Sequence, residues 1–95
     1  MRQRHFPIHD ILLAALCGET IPDGQYRDLA WCRYIMSHYY RPRCKNLEEV
    51  GAKVGKHHSS VSYYLKKYED EYKYNPTFRV YAEWFKTQAN GKVQS

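Results

Sequence analysis

Apolar positions recur with a helical period along nearly the whole chain, and no stretch alternates apolar and polar residues as a half-buried strand does. Five segments carry the helical pattern between caps, glycines and prolines: 9–17, 25–40, 47–54, 58–71 and 76–88. The pattern therefore predicts an all-α fold. We expect a single small helical domain of about five helices over 1–95, with a core over about 8–88 and a frayed polar tail at 89–95.

The expected helix ends follow from residues with local capping chemistry. Asp10 is placed to cap the first helix, and Pro42 follows the end of the second. Asn46 with Glu49 three residues later forms a capping-box pattern at the start of the third helix. Gly51 falls inside that helix, where glycine costs ~1 kcal/mol relative to alanine. We therefore expect close packing at Gly51.

The helical spacing also predicts the core. Arg27, Arg33 and Tyr34 are expected to lie off the apolar stripe of the second helix. Most of the ten tyrosines lie at helical spacing, which favours packing over base stacking as their use. The residues expected to face the core are Ile11, Leu12, Ala15, Leu16, Leu29, Cys32, Ile35, Met36, Tyr39, Leu47, Val50, Val54, Val61, Tyr64, Leu65, Tyr68, Phe78, Tyr81, Ala82 and either Trp84 or Phe85.

Composition narrows the class of protein. The longest apolar run, 11–17, is far shorter than the ~20 residues of a membrane span, and no signal-peptide pattern is present, so we expect a cytoplasmic protein. The three cysteines form no CxxC pair, and no Cys/His spacing matches a zinc finger. We expect reduced thiols and neither a metal nor a cofactor. Nothing in the sequence indicates a small-molecule substrate.

The net charge of +5 is unevenly distributed. Residues 26–57 hold seven basic and three acidic side chains, whereas 1–25 carry a small negative excess. A concentrated basic region predicts a polyanionic partner, with a solvated basic surface as the alternative interpretation.

Residues 47–65 carry the most informative pattern. A short capped helix, a glycine turn and a longer helix are the layout of a helix-turn-helix. His58 and Ser59 stand at the start of the longer helix, where side chains of a recognition helix meet base edges. Lys56 and Lys67 flank them. The simpler interpretation is that the serines only cap a helix and that the histidines are exposed without a function.

Residues 50–61 read Val-Gly-x-x-Val-Gly-Lys-His-His-Ser-Ser-Val, which resembles the signature of the C-terminal DNA-binding domain of the bacterial replication initiator DnaA. Residues 27–35, Arg-Asp-Leu-Ala-Trp-Cys-Arg-Tyr-Ile, are similar to a segment upstream of that signature. The likeness covers roughly residues 8–70. It implies a nucleoid-associated protein whose partner is double-stranded DNA.

The resemblance and the basic pattern together give the expected contacts. His57 replaces the family's base-reading aspartate and cannot accept a hydrogen bond as a carboxylate does. The family's minor-groove arginine falls on Gln25, so Arg27 is the nearest substitute. The expected base-reading residues are His57, His58, Ser59 and Ser62. The expected backbone contacts are Arg33, Arg41, Arg43, Lys45, Lys56, Ser60 and Lys67.

The resemblance stops short of the initiator's ATPase activity, because the sequence contains no GxxxxGK[ST] phosphate loop. We therefore expect a sequence-specific DNA-binding module with a replication-related or regulatory role. A helical module that binds a protein or single-stranded nucleic acid is the alternative. An enzyme is disfavoured, since no catalytic set follows from the spacing and the acidic run 69–71 is typical of a solvated helix end.

Overall fold

The computed structural model describes residues 8–22 and 27–94, with side chains as far as residue 91. It contains five α-helices and a short 3₁₀ turn, Arg41–Arg43, and no strand in the described ranges. The all-α prediction is therefore confirmed. The helices are α1 (Ile8–Leu16), α2 (Arg27–Tyr40), α3 (Leu47–Val54), α4 (His58–Tyr74) and α5 (Pro76–Gln94).

Helix α2 is the centre of the molecule and packs against the four other helices. Every residue of 31–37 is buried, so the helix has no solvated side along this stretch. Arg33 and Tyr34, which were expected off the apolar stripe, are 5% and 8% exposed. The expectation was wrong because an amphipathic pattern assumes one wet face, and α2 has none at this point.

An aromatic cluster joins α2, α4 and α5. Phe78 is fully buried, and its ring lies 5.4 Å from the rings of Trp31 and Tyr68, edge-on to both. Edge-to-face pairs of this kind add about 0.5–1.5 kcal/mol to the area that they bury. On the same helix Phe85 is buried and Trp84 is only half-buried, which decides between the two predicted alternatives.

Helix ends differ from the prediction in α1, α4 and α5, and the predicted start of α2 at residue 25 lies outside the described residues. Helix α1 begins at Ile8, so Asp10 lies in its first turn and does not cap it. Helix α4 continues to Tyr74, and α5 continues to Gln94 in place of the predicted tail at 89–95. Ala89 is 3% exposed because it extends the stripe of Phe78 and Phe85 by one further turn. Burial of that alanine explains why the polar end of the chain remains helical.

The restart at Asn75 is confirmed. Its side-chain oxygen accepts hydrogen bonds from the backbone N–H groups of Thr77 and Phe78, at 3.1 and 3.4 Å. Arg79 donates to the carbonyls of Tyr72 and Lys73, which satisfies the last turn of α4. Asn75 therefore both ends α4 and begins α5.

Tyrosine packing is also confirmed for the described tyrosines. Tyr34 and Tyr68 are buried, and only Tyr63 and Tyr74 are exposed, at 55% and 74%. None of the described helices is long and apolar enough to span a bilayer.

Candidate nucleic-acid interface

Helix α3 begins where the capping pattern predicts. The Asn46 side chain accepts a hydrogen bond from the Glu49 N–H at 2.9 Å. The Glu49 carboxylate reaches back to the N–H of Lys45, also at 2.9 Å, and not to that of Asn46 as in the standard box. Two backbone donors are thereby satisfied at an exposed helix start.

The turn between α3 and α4 depends on two glycines. Gly55 has φ +76°, the left-handed conformation that ends α3, and the N–H groups of Gly55 and Lys56 both bond to the Gly51 carbonyl. A Cβ atom on Gly51 would lie 2.4 Å from the Lys56 carbonyl oxygen and 3.4 Å from the backbone of His57. The close packing expected at Gly51 is confirmed, and it sets the distance between α3 and the start of α4.

His57 is the cap of α4. Its Nδ1 accepts a hydrogen bond from the Ser59 N–H at 3.2 Å and lies 2.7 Å from the Ser59 hydroxyl. A backbone N–H can only donate, so Nδ1 carries no proton in this arrangement and the neutral imidazole holds its hydrogen on Nε2. His57 is exposed, and its Nε2–H is therefore a donor at the amino end of the helix. The cap is a histidine and not a serine, contrary to the simpler interpretation.

The amino-terminal half of α4 has one solvated face and one buried face. Ser59, Ser62 and Tyr63 are exposed on the solvated face, whereas Val61 is fully buried on the other. Ser59 and Ser62, two of the four predicted base-reading residues, therefore lie on the solvated face, and a third, His57, is exposed at the helix start. His58 is half-buried, and its ring lies 4.2 Å from that of His57.

Tyr63 is an exposed residue of this face that the sequence analysis did not assign. It is four residues after Ser59, one helical turn further on. That spacing is the signal that could have identified it. Its ring leans on Tyr64, which in turn packs against Tyr34 of α2.

The structure contradicts the assignment of Arg33 as a backbone contact. The side chain is buried and its Nη2 donates a 2.8 Å hydrogen bond to the Pro22 carbonyl. An arginine buried in this way ties α2 to the loop that follows α1 and is not presented to a phosphate.

The other basic candidates lie at the surface, but they differ in their exposure and in their contacts. Arg41 and Lys45 are exposed. Arg43 is exposed but donates to the Tyr39 carbonyl at 2.8 Å and lies 4.0 Å from the centre of the Tyr39 ring, so it also closes the end of α2. Arg27 is exposed above the Trp31 ring. Lys56, Ser60 and Lys67 are half-buried, and Gln25 lies outside the described residues.

Charge is polarised along α4. Lys66 and Lys67 lie in its middle turns, and the acidic run 69–71 follows them towards the carboxyl end. The backbone N–H groups at the helix start reinforce this polarity, because a helix amino terminus is partly positive. The half of α4 next to the turn is therefore the half that suits a polyanion.

The described residues contain no group of three or more His, Cys, Asp and Glu side chains placed to hold a metal ion. Burial raises the pKa of the Cys32 thiol to about 12, so this side chain remains protonated at neutral pH.

The geometry defines a small all-α domain with a helix-turn-helix. No family model, no curated protein and no solved structure matches the chain. The likeness to the DnaA domain therefore rests on residues 50–61 and 27–35 themselves.

Proposed function

We propose that this chain binds double-stranded DNA in a sequence-specific manner, with the start of α4 in the major groove and α3 across the backbone. The observation that carries the proposal is the amino-terminal half of α4, which exposes short hydrogen-bonding side chains at Ser59 and Ser62 while Val61 anchors its other face. Recognition helices enter the groove in this orientation, and small side chains allow close approach.

Phosphate contacts are assigned to exposed or half-exposed groups around this helix start. Ser60 and Lys67 come from α4, and Lys56 comes from the turn. Arg41 and Lys45 lie in the connection before α3, where the first helix of such a unit meets the backbone. Arg27 is the proposed minor-groove residue. A role in replication or gene regulation follows from the resemblance to the DnaA domain.

The distribution of exposed tyrosines favours a duplex over a single strand. Single-strand binding uses aromatic rings placed close enough to stack on neighbouring bases. The two exposed rings described, those of Tyr63 and Tyr74, are eleven residues apart on one helix, which separates them by about 16 Å. The remaining described tyrosines are half-buried or buried in packing between helices.

Binding at different salt concentrations with two matched variants tests the proposal. Lys67→Gln and Lys73→Gln each remove one positive charge from α4. Lys73 lies fourteen residues beyond Ser59, about 21 Å along the helix. For a labelled duplex, we expect Lys67→Gln to reduce the slope of log K against log salt by about one and Lys73→Gln to leave it unchanged.

Two outcomes would overturn the proposal. The first is an equal reduction of the salt slope in both variants, which would indicate that the duplex is attracted by the net charge of the protein alone. The second is tighter binding of the same sequence as a single strand, which would favour the alternative function.

A further inference from the structure

A cavity of about 180 Å³ lies between the carboxyl end of α2, the 3₁₀ turn, the middle of α4 and the central turns of α5. It is separate from the solvated face of α4 that carries Ser59 and Ser62, neither of which lines it. Its walls are mainly apolar. The apolar side chains that α2 and α5 contribute, called the floor below, are Ile35, Tyr39, Ala82, Phe85 and Ala89.

Nitrogen-bearing side chains surround this floor. His38, Arg43 and Lys86 all line the cavity, and no carboxylate is among the residues that line it. The Arg43 guanidinium is held by its 2.8 Å hydrogen bond to the Tyr39 carbonyl and by its position over the Tyr39 ring. A bound anion would therefore meet a guanidinium that is already positioned, at little further cost in entropy.

The Lys86 ammonium lies 3.6 Å from the Glu83 carboxylate and 5.9 Å from the centre of the Tyr72 ring, and neither of these residues lines the cavity. The Lys86 and Glu83 side chains are both about half exposed. An exposed ion pair of this kind contributes little to the free energy of unfolding. Moving the Lys86 ammonium from Glu83 to a ligand carboxylate therefore costs little free energy.

His38 lines the cavity, and its pKa depends on the charges around the cavity. Its ring is stacked on Tyr68 at 3.9 Å with an angle of 7° between the rings. Burial and the positive charge of Lys86 lower the pKa of His38, and Glu69 acts in the opposite direction. Arg43 also lines the cavity.

The size and chemistry together select a class of ligand. A cavity of ~150 Å³ accommodates benzene, so this one has room for a single ring with a small substituent, and it is smaller than the ~300 Å³ at which drug-sized sites begin. An apolar floor suits the ring, and a cationic rim suits a carboxylate. We propose that the cavity binds a small aromatic carboxylate, with its ring against Phe85 and its carboxylate towards Arg43 and Lys86.

Titration of the full chain with benzoate, followed by amide and histidine-ring NMR, tests this site. We expect saturable shifts at the residues that line the cavity, with a Kd of about 1 mM, the range open to so small a ligand. Lys86→Gln should weaken binding about two- to fivefold, the range of an exposed ion pair, whereas Lys73→Gln, an identical charge change outside the cavity, should not. Both lysines are exposed, so neither substitution is expected to disturb the fold.

Two related compounds separate the contributions of ring and charge. Benzamide retains the ring without the charge, and acetate retains the charge without the ring. Benzoate should raise the pKa of His38, because a carboxylate nearby favours the imidazolium, and benzamide should not.

The proposal is overturned if benzamide binds as tightly as benzoate, if acetate produces the same shifts, or if the benzoate shifts do not saturate. It is also overturned if Lys86→Gln and Lys73→Gln bind equally. None of these results depends on whether the chain binds DNA.

Discussion

At Gly51, α3 lies so close to the following turn that a Cβ atom would come within 2.4 Å of the Lys56 carbonyl oxygen. The obstacle is backbone, which cannot rotate away as a side chain can. We predict that Gly51→Ala lowers the free energy of unfolding by about 1–3 kcal/mol, the usual cost of overpacking. Urea denaturation followed by circular dichroism measures this change.

Gly91→Ala is the matched control. A Cβ atom at Gly91, which also lies within a helix, would meet nothing within 4 Å. The same substitution should therefore leave stability unchanged or raise it by up to about 1 kcal/mol, because alanine is the better helix former. If both variants lose stability equally, the close approach at Gly51 is not what makes glycine necessary there.

His57 carries a prediction about base preference, which rests on the proposed function. Its Nδ1 is occupied by Ser59, so the neutral ring offers a donor on Nε2. A donor in the major groove pairs with the N7 or O6 of guanine, whereas a carboxylate accepts from the amino group of cytosine. We predict that His57→Asp shifts the preferred base at one position from guanine to cytosine.

Selection from random duplexes with both proteins measures that preference. Asp is a preferred helix cap, so the stability of the variant should match that of the wild type. An unchanged preferred sequence in a folded, DNA-binding variant would exclude His57 as a base-reading residue.

At the scale of elements, α3 shows what neighbouring residues can predict, whereas α2 and α5 show what depends on tertiary packing. Both ends of α3 follow from Asn46 and the glycine turn, and they lie where the sequence places them. The complete burial of α2 could not be predicted, because it requires other helices to cover both sides of Arg33 and Tyr34. The extension of α5 depends in the same way on the packing of Ala89.

The same distinction between local sequence and tertiary contact applies to the residues of the candidate site. Ser59 and Ser62 were assigned from their position in a local motif, and they lie on the solvated face of α4. Arg33 was assigned through a family resemblance that does not specify which side of α2 is covered. Its burial against the carbonyl of Pro22 is a tertiary contact, invisible in the spacing of the sequence.

Arg33 therefore carries a prediction about how α2 is joined to the preceding loop. Arg33→Ala should lower the free energy of unfolding by about 1–3 kcal/mol, since it removes a buried side chain and its charged hydrogen bond to the partly buried carbonyl of Pro22. Its effect on the salt dependence of DNA binding should be nil. Arg41→Ala, at an exposed arginine, should give the reverse: stability within about 0.5 kcal/mol and a salt slope reduced by about one.

Chemical denaturation and DNA titrations of the two variants decide between these assignments. If Arg33→Ala keeps its stability and loses a unit of salt slope, the side chain contacts phosphate and its buried position does not describe the protein in solution.

For the whole molecule, stability at high pH depends mainly on the three acids with the largest pKa shifts, Cys32, Tyr34 and Tyr68, while the raised pKa values of Tyr40 and Tyr72 act in the same direction. Burial raises the pKa of Cys32 from 9.0 to about 12, and the pKa values of Tyr34 and Tyr68 rise from 10.0 to about 12. The unfolded chain therefore loses these protons first, which favours unfolding. We predict that the free energy of unfolding is constant with respect to these groups below about pH 9 and falls between pH 9 and 12.

Urea denaturation between pH 8 and 12 in reducing buffer measures this dependence. Tyr68→Phe removes one of the three groups and should make the decline shallower. Below pH 6.5 the sign is reversed for His38, whose pKa is lowered by burial, so acid also weakens the fold as the unfolded chain gains this proton first. Stability that is constant from pH 9 to 12 would contradict the burial of these side chains.

The central claim is that the whole chain recognises a particular duplex through the solvated face of α4. Selection from random duplexes at physiological salt tests it most directly, followed by measurement of the affinity for the selected sequence and for a scrambled one. We expect one enriched site, bound about 10³-fold or more tighter than the scrambled duplex. Equal affinity for the two duplexes, or stronger binding of the single strand, would contradict it.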